Sequence, residues 1–178
     1  MPIELPVVWI VNNNQFAYST PNVLEFAIPT IAERAVAYGI PGVRVDGGNV
    51  LEVFEATRAA VERARAGEGP TLIESLSLRW RGHAGHDPAK YMPEELLQEY
   101  MANHDPVRNF EEYLLAEGVL TKEDVDEIKV RVESEFQEGY DYALASPFPE
   151  PGDATKGLWV EDGYWTSESG RDGGTEAG

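Results

Sequence analysis

The sequence predicts an α/β fold in which a parallel sheet is flanked by helices and followed by C-terminal helices. Three short apolar segments of strand length alternate with two segments of helical periodicity. Connections of this length join parallel strands through crossover helices. With 178 residues the chain is long enough for a domain with a core. We expect this domain to span residues 1–150 and an acidic tail to span 151–178, disordered from about 166.

The first predicted strand, Val7–Val11, is apolar, β-branched and aromatic, which is typical of a strand buried on both faces. It ends at three consecutive asparagines, Asn12–Asn14, a residue type that suits turns. In open α/β sheets, ligands bind at the carboxyl ends of the strands. The asparagines are therefore either a binding turn or a polar turn without further role.

The remaining elements follow from apolar periodicity and capping residues. The predicted strands are Val43–Val45 and Thr71–Leu78, and the predicted helices are Ile31–Tyr38, Val50–Ala66, one after Pro93, one after Asp105-Pro106, and Thr121–Ser146; Ser19–Pro29 is an irregular connection. Two helices carry apolar stripes that we expect to be buried, namely Val50, Val53, Phe54, Thr57, Val61 and Ala64 on one, and Val125, Ile128, Val132, Phe136 and Tyr140 on the other. The second stripe would pack in the core or against another subunit. In the tail, Leu158–Val160 and Tyr164-Trp165 are expected to pack back on the body.

Composition excludes several classes of function. The net charge is −18, with 32 acidic and 14 basic residues, and this field repels nucleic acid and anionic membranes. The absence of cysteine excludes disulfides and thiolate metal sites. No apolar run reaches membrane-spanning length and the start does not resemble a signal peptide, so we expect a cytoplasmic protein. Adaptation to high salt and an ordinary acidic protein both explain the charge.

Polar residues follow all three predicted strands, at Asn12–Asn14, Asp46–Gly48 and Arg79–His83. The carboxyl ends of parallel strands lie at one edge of a sheet, so these groups should meet in one crevice. Amide oxygens, a carboxylate, guanidinium groups and histidines suit an anionic ligand such as a phosphate with a hard cation.

Each of these residues also has a purely structural interpretation. Asp46-Gly47 is a common turn, and we favour the structural role there. Arg79 and Arg81 alternate around Trp80, so one should face the crevice and the other solvent. Histidines His83 and His86 share a glycine-rich loop, which favours function, whereas His104 at a helix end is expected to be a surface residue.

Two motifs make the chain resemble a known family. These are LPVVWIVNNNQFAYST at residues 5–20 and RWRGHAGHDP at 79–88, supported by ASPFPEPG near the tail. The chain resembles the C-terminal half of the alpha subunit of the thiamine-diphosphate-dependent decarboxylating component of 2-oxo acid dehydrogenase complexes, and also the related acetoin dehydrogenase alpha subunit. The resemblance implies a thiamine-diphosphate-binding fold and a Mg²⁺ ion held by the Asn14 side chain and the Phe16 carbonyl. It further implies that His83 lies near the diphosphate and reacting face, and that Arg79 orders the loop or offsets diphosphate charge.

The resemblance also implies partners. In the family, a Gly-Asp-Gly motif that supplies the third Mg²⁺ ligand precedes the asparagines, and this chain begins at Met1, after that point. We therefore expect that the N-terminal half is missing, either because the chain is a fragment or because a separate polypeptide supplies that half. We also expect an exposed sheet edge, weak or no cofactor binding by this chain alone, and no activity of this chain alone. The implied partners are a beta subunit in a heterotetramer and the lipoyl domain of a dihydrolipoyl acyltransferase, which accepts the acyl group. Family members from animals carry regulatory serines in the loop, where this chain has Ala84 and His86, so phosphorylation at those positions is excluded. Acetoin cleavage and a non-catalytic assembly module are the alternative functions.

Overall fold

A computed structural model describes residues 5–156, and it contains a parallel three-stranded sheet with helices on both faces. The strands of this sheet are β1 (Val8–Asn13), β4 (Gly42–Asp46) and β5 (Thr71–Leu76), and a two-stranded hairpin is formed by β2 (Phe16–Ala17) and β3 (Thr20–Pro21). The helices are α1 (Ala35–Tyr38), α2 (Val50–Arg65), α3 (Glu94–Asn103), α4 (Pro106–Ala116) and α5 (Lys122–Ala145), with short 3₁₀ turns at Asn22–Leu24, Ile31–Arg34 and Pro151–Thr155. The predicted α/β class and the later helices are thus confirmed.

β5 is the central strand, because the order of the parallel sheet is β1-β5-β4. Its side chains alternate between two apolar clusters. Leu72 packs with Ala32 and Ala35 on one face. Ile73 packs with Val45 and Ala60 on the other. This alternation explains why Thr71–Glu74 are all buried although no two successive side chains point the same way.

β1 is an edge strand, and the prediction that it is buried on both faces is wrong. Trp9 is 58% exposed and Ile10 is 56% exposed, although they point to opposite faces. Within residues 5–156, β1 pairs only with β5. The strand also continues through Asn12 and Asn13, so only the third asparagine begins the turn. The expected exposed sheet edge is present.

The buried face of α2 differs from the predicted stripe. Ala60 and Ala64 are buried and Val53 is partly buried, whereas Phe54 is 59% exposed. The small alanine side chains allow the helix to lie close to the sheet. The expected burial of Phe54 is therefore wrong, because the helix packs on the sheet through its alanines and this larger side chain stays exposed.

Local interactions define several of the helix ends. The Asn49 side chain accepts the Glu52 N–H at 3.2 Å at the start of α2. Asp105 accepts the Val107 N–H at 3.0 Å at the start of α4. Gly39 has a φ of +68°, the left-handed conformation that ends α1. The helix predicted after Pro93 begins at Glu94, with Pro93 as its cap residue.

The chain forms two compact units, divided between Asp126 and Glu127 inside α5. Val125 is buried in the first unit. The other members of the predicted stripe are exposed, which is a correction to their expected burial: Ile128, Val132, Phe136 and Tyr140. Packing of this stripe against another subunit stays a prediction.

The tail predictions lie mostly outside the described residues. This applies to the packing of Leu158–Val160 and Tyr164-Trp165 and to disorder from about 166. The boundary at residue 150 also stays a prediction. Among residues 5–156, no helix is both long and apolar enough to cross a membrane.

Candidate functional site

The three strand ends meet at one edge of the sheet, as predicted. Asn13 and Asp46 are both in register with Leu76 of the central strand. The Ser77 N–H donates to the Asn13 carbonyl at 3.0 Å, and the Gly47 N–H donates to the Leu76 carbonyl at 2.7 Å. The chain leaving β5 therefore passes directly beside the asparagine turn.

A buried carboxylate anchors this turn to the sheet. Glu74 is fully buried, and its two oxygens accept hydrogen bonds from the Asn13 side-chain amide at 2.6 Å and from the Ala32 N–H at 2.9 Å. Both partners are donors, which matches an ionised carboxylate that can only accept. Sequence reasoning did not single out Glu74. Its signal was an acidic residue directly after two apolar residues in the middle of a strand.

The three asparagines have different surroundings. Asn13 is buried, and its side-chain oxygen accepts the Gln15 N–H at 3.2 Å and the Gln15 amide at 3.0 Å. Asn12 is exposed and accepts the Ser77 hydroxyl at 2.5 Å. The Asn14 side-chain oxygen accepts the Phe16 N–H at 3.2 Å. Asn13 therefore holds the turn, while Asn14 and Phe16 lie beyond the strand end.

Arg79 connects this turn to the histidine loop. Its Nη2 donates to the Tyr18 carbonyl at 2.6 Å and to the Tyr91 hydroxyl at 2.8 Å. Its Nη1 lies 3.5 Å from the Phe16 carbonyl oxygen and 3.4 Å from His83 Nδ1. The Arg79 N–H also donates to the Asn14 carbonyl at 3.4 Å. The four residues assigned by resemblance thus lie side by side.

Asp87 organises the loop around His83, and sequence reasoning missed it. Its carboxylate accepts the His83 N–H at 2.8 Å, the Ala89 N–H at 2.9 Å and the Tyr91 hydroxyl at 2.8 Å. The pKa of the Asp87 carboxyl is lowered, first by the Ala89 N–H and then by the His83 N–H. A Cβ on Gly82 would lie 2.0 Å from the Asp87 carbonyl oxygen, so this close approach requires glycine. The only sequence signal was the Asp-Pro pair within a glycine-rich loop.

Asp46 reaches the sheet edge but is held by its own turn and by His104, the residue that follows α3. It accepts the Gly48 N–H at 2.8 Å, and its other oxygen lies 3.1 Å from His104 Nδ1. The prediction that His104 is a surface residue is wrong. Its side chain is 31% exposed, its Nε2 lies 3.3 Å from Glu99, and its ring contacts Tyr100 at a centroid distance of 4.7 Å. These contacts support the structural interpretation of Asp46-Gly47.

The two arginines of the loop have different surroundings. Arg79 is half-buried against the asparagine turn, whereas Arg81 is exposed. That one of them faces the crevice and the other solvent stays a prediction. His86 is exposed as well. An open cavity of about 830 Å³ lies along the loop, and His83, Trp80 and Arg81 are among its lining residues.

The donor set suits a hard cation next to an anion. The Asn14 side-chain oxygen and the Phe16 carbonyl are neutral oxygen donors, and each accepts one hydrogen bond, which leaves a second lone pair. The Arg79 guanidinium matches a phosphate oxygen. Among residues 5–156, no cluster of three or more histidine or carboxylate side chains could hold a metal ion. Any ion here would therefore depend on neutral oxygens and on ligands from other groups.

Comparisons with known proteins identify relatives of this chain. The family model described as "Dehydrogenase E1 component" matches residues 2–152. The chain is 33% identical over 159 residues to the "Pyruvate dehydrogenase E1 component subunit alpha" of Porphyra purpurea, covering 89% of this chain and 46% of that relative. It is 50% identical over 99 residues to the same subunit of Bacillus subtilis, covering 54% and 27%, and 47% identical over 90 residues to that of Staphylococcus aureus, covering 49% and 24%.

The chain spans less than half the length of these curated relatives. The family match nevertheless extends over most of the chain, from the exposed edge strand to the start of the tail, and includes the asparagine turn and the histidine loop. The chain belongs to the dehydrogenase E1 component family.

Proposed function

We propose that this chain contributes to the alpha subunit of a thiamine-diphosphate-dependent, decarboxylating 2-oxo acid dehydrogenase, with thiamine diphosphate and Mg²⁺ as cofactors. The names of the relatives favour pyruvate as the substrate. The observation that carries the proposal is the contact of Arg79 with both the Phe16 carbonyl and His83. Three groups are thus in contact: the Phe16 carbonyl, proposed as a metal ligand; the Arg79 guanidinium, proposed to meet the diphosphate charge; and His83, proposed to transfer protons.

Each of the four residues has a role that follows from its chemistry. Asn14 and Phe16 would hold Mg²⁺ through neutral oxygens, and Arg79 would neutralise diphosphate charge. The chemistry that bound thiamine diphosphate supplies is a stabilised carbanion for decarboxylation.

His83 is suited to proton transfer. Its Nδ1 faces the Arg79 guanidinium, which can only donate, so the neutral ring carries its proton on Nε2. That nitrogen would give a proton to, or take one from, a reacting group during acyl transfer. The ring of Tyr18 contacts the imidazole at a centroid distance of 5.1 Å and restricts its orientation.

The proposed partners are a beta subunit, a segment equivalent to the part of the relatives that this chain does not cover, on the same polypeptide or on a separate one, and the lipoyl domain that receives the acyl group. The exposed β1 edge, with Trp9 and Ile10 on its two faces, supports the need for a neighbouring segment. A cytoplasmic location and a heterotetramer belong to the same proposal.

Reconstitution tests this function. The chain is combined with a beta subunit and the uncovered part of a relative, titrated calorimetrically with thiamine diphosphate and Mg²⁺, and assayed with pyruvate, branched 2-oxo acids and acetoin. We expect cofactor binding and turnover of a 2-oxo acid. Turnover of acetoin instead would assign the related acetoin dehydrogenase activity. If the assembled complex does not bind the cofactor, the non-catalytic assembly module is the remaining function.

A matched pair of loop variants tests the role of His83. His83→Ala should lower kcat by about 10²–10⁴ with little change in cofactor affinity, because general acid–base groups contribute rate factors of that size. His86→Ala is the control, since His86 lies in the same loop but is not among the residues that line the cavity next to His83. Equal activity of the two variants would remove His83 from the chemistry.

A further inference from the structure

The Phe16 carbonyl has two prospective cationic partners. Under the proposed function it is a ligand of a divalent cation, yet the Arg79 guanidinium already lies 3.5 Å from its oxygen. The neighbouring Tyr18 carbonyl accepts the other terminal nitrogen of the same guanidinium at 2.6 Å. Two cations that approach one carbonyl oxygen repel each other strongly, because their separation is small compared with the screening length of the solvent.

The backbone of the turn presents these carbonyls in an uncommon conformation. Gln15 has a φ of +70° and Tyr18 a φ of +51°, so left-handed non-glycine residues stand on both sides of Phe16. Such conformations persist only where surrounding contacts enforce them, and they concentrate at ligand sites. Here the contacts are the buried Asn13 on one side and Arg79 on the other.

Arg79 depends on these carbonyls as anchors. The ion pairs found among the described residues do not include Arg79, and its hydrogen bonds go to backbone carbonyls and to neutral side chains, although its charge also helps to lower the pKa of the nearby Asp87 carboxyl. Its Nε donates to the Arg81 carbonyl at 3.1 Å, and Nη2 donates to the Tyr91 hydroxyl, which in turn donates to Asp87. Any displacement of the guanidinium is therefore transmitted to the loop that carries His83.

We propose that Arg79 and the divalent cation compete for the Phe16 carbonyl, so that metal binding releases Arg79 from the turn and loosens the histidine loop until an anionic diphosphate engages the guanidinium again. This inference rests on the proposed function and adds an order to it. The metal ion frees the arginine, and the phosphate oxygens then re-anchor it.

Metal titration of arginine variants tests the competition. The probe is Mn²⁺, measured by electron paramagnetic resonance in phosphate-free buffer, with the 178-residue chain assembled with a beta subunit and the uncovered part of a relative as in the reconstitution above. Arg79→Met should bind Mn²⁺ about three- to tenfold more tightly than the wild type, because about one net hydrogen bond no longer competes. Arg81→Met is the matched control. It removes the same charge from an exposed neighbour and should change the affinity by less than about twofold.

Inorganic pyrophosphate should reverse the effect. In its presence Arg79→Met should bind Mn²⁺ more weakly than the wild type, because the guanidinium contact to the anion is missing. Arg79→Lys provides a second variant if the methionine variant fails to fold. Its single ammonium group cannot span both carbonyls, so Mn²⁺ alone should again bind more tightly than to the wild type.

Amide hydrogen exchange provides a readout of the loop. The His83 and Ala89 N–H groups, which donate to Asp87, should exchange faster when Mg²⁺ is added alone and slow again when pyrophosphate follows. Unchanged or weaker Mn²⁺ binding by Arg79→Met would overturn the competition while leaving the metal site of the proposed function in place. Absence of Mn²⁺ binding by every form, also with pyrophosphate, would overturn the metal site itself.

Discussion

Replacing Glu74 with glutamine tests the buried anchor of the asparagine turn. The carboxylate accepts one hydrogen bond from the Asn13 amide at 2.6 Å and one from the Ala32 N–H at 2.9 Å. A glutamine at this position has one oxygen and one amide group. Since the backbone N–H of Ala32 cannot reverse its polarity, the new amide group must face the Asn13 amide, donor against donor.

Asn13 cannot relieve this conflict by rotating its own amide. Its side-chain oxygen already accepts from Gln15, so rotation would only move the opposition to that side. A hydrogen bond to a charged group contributes about 1.5–3 kcal/mol. With the added cost of a buried unpaired donor, we expect Glu74→Gln to lower the free energy of unfolding by about 2–4 kcal/mol. This is a large share of the roughly 5–15 kcal/mol typical of a domain.

Urea denaturation followed by circular dichroism measures this loss. Glu55→Gln is the control, because it weakens only an exposed pair with Arg58 and should change stability by less than about 0.5 kcal/mol. The m-value should stay the same in both variants if the folded and unfolded states keep their compactness. A Glu74→Gln variant as stable as the control would refute the argument that the two donors require a carboxylate.

Three further predictions concern the loop and one helix cap. Gly82→Ala should make the loop more susceptible to limited proteolysis, because its Cβ would meet Asp87, while Gly85→Ala should not, since nothing lies within 4 Å there; equal cleavage would contradict this. The folded-state pKa of Asp87 is lowered, chiefly by the Ala89 N–H. The hydrogen-exchange protection of the Ala89 amide should therefore be complete above about pH 4 and be lost as the pH falls through the folded-state pKa of Asp87. Protection of this amide that weakens toward neutral pH would contradict the prediction. Asp105→Ala should lower stability by about 1 kcal/mol in thermal unfolding, through loss of the cap of α4.

Features encoded locally were predictable from the sequence. Asn49, Asp105 and Gly39 mark helix ends through bonds or dihedral angles within a few residues, and the structure has those ends. The parallel direction of the strands followed from the lengths of the connections between them. Such signals require no knowledge of distant contacts.

Features that depend on distant neighbours were not predictable. The exposure of Trp9 reflects the number of strands beside β1, which the composition of β1 does not reveal. The orientation of α2 follows Ala60 rather than the larger Phe54, because close packing on the sheet favours the small side chain. Glu74 meets Asn13 across 61 positions of sequence.

The candidate site likewise contains residues that could be predicted from the sequence and residues that could not. Asn14, Phe16, Arg79 and His83 were named from strand ends and from family resemblance, and the structure places them side by side. Their roles stay predictions. Asp87 was missed because its importance lies in three donors that converge only once the loop has closed.

The position of β5 in the middle of the sheet affects how the protein is made. Both β1 and β4 pair with β5, which is synthesised after them, so neither has its partner when it leaves the ribosome. β1 cannot pair with Thr71–Leu76 until that strand has been synthesised, and pairing over such separations is slow. The three-stranded sheet therefore forms only after its central strand has emerged from the ribosome.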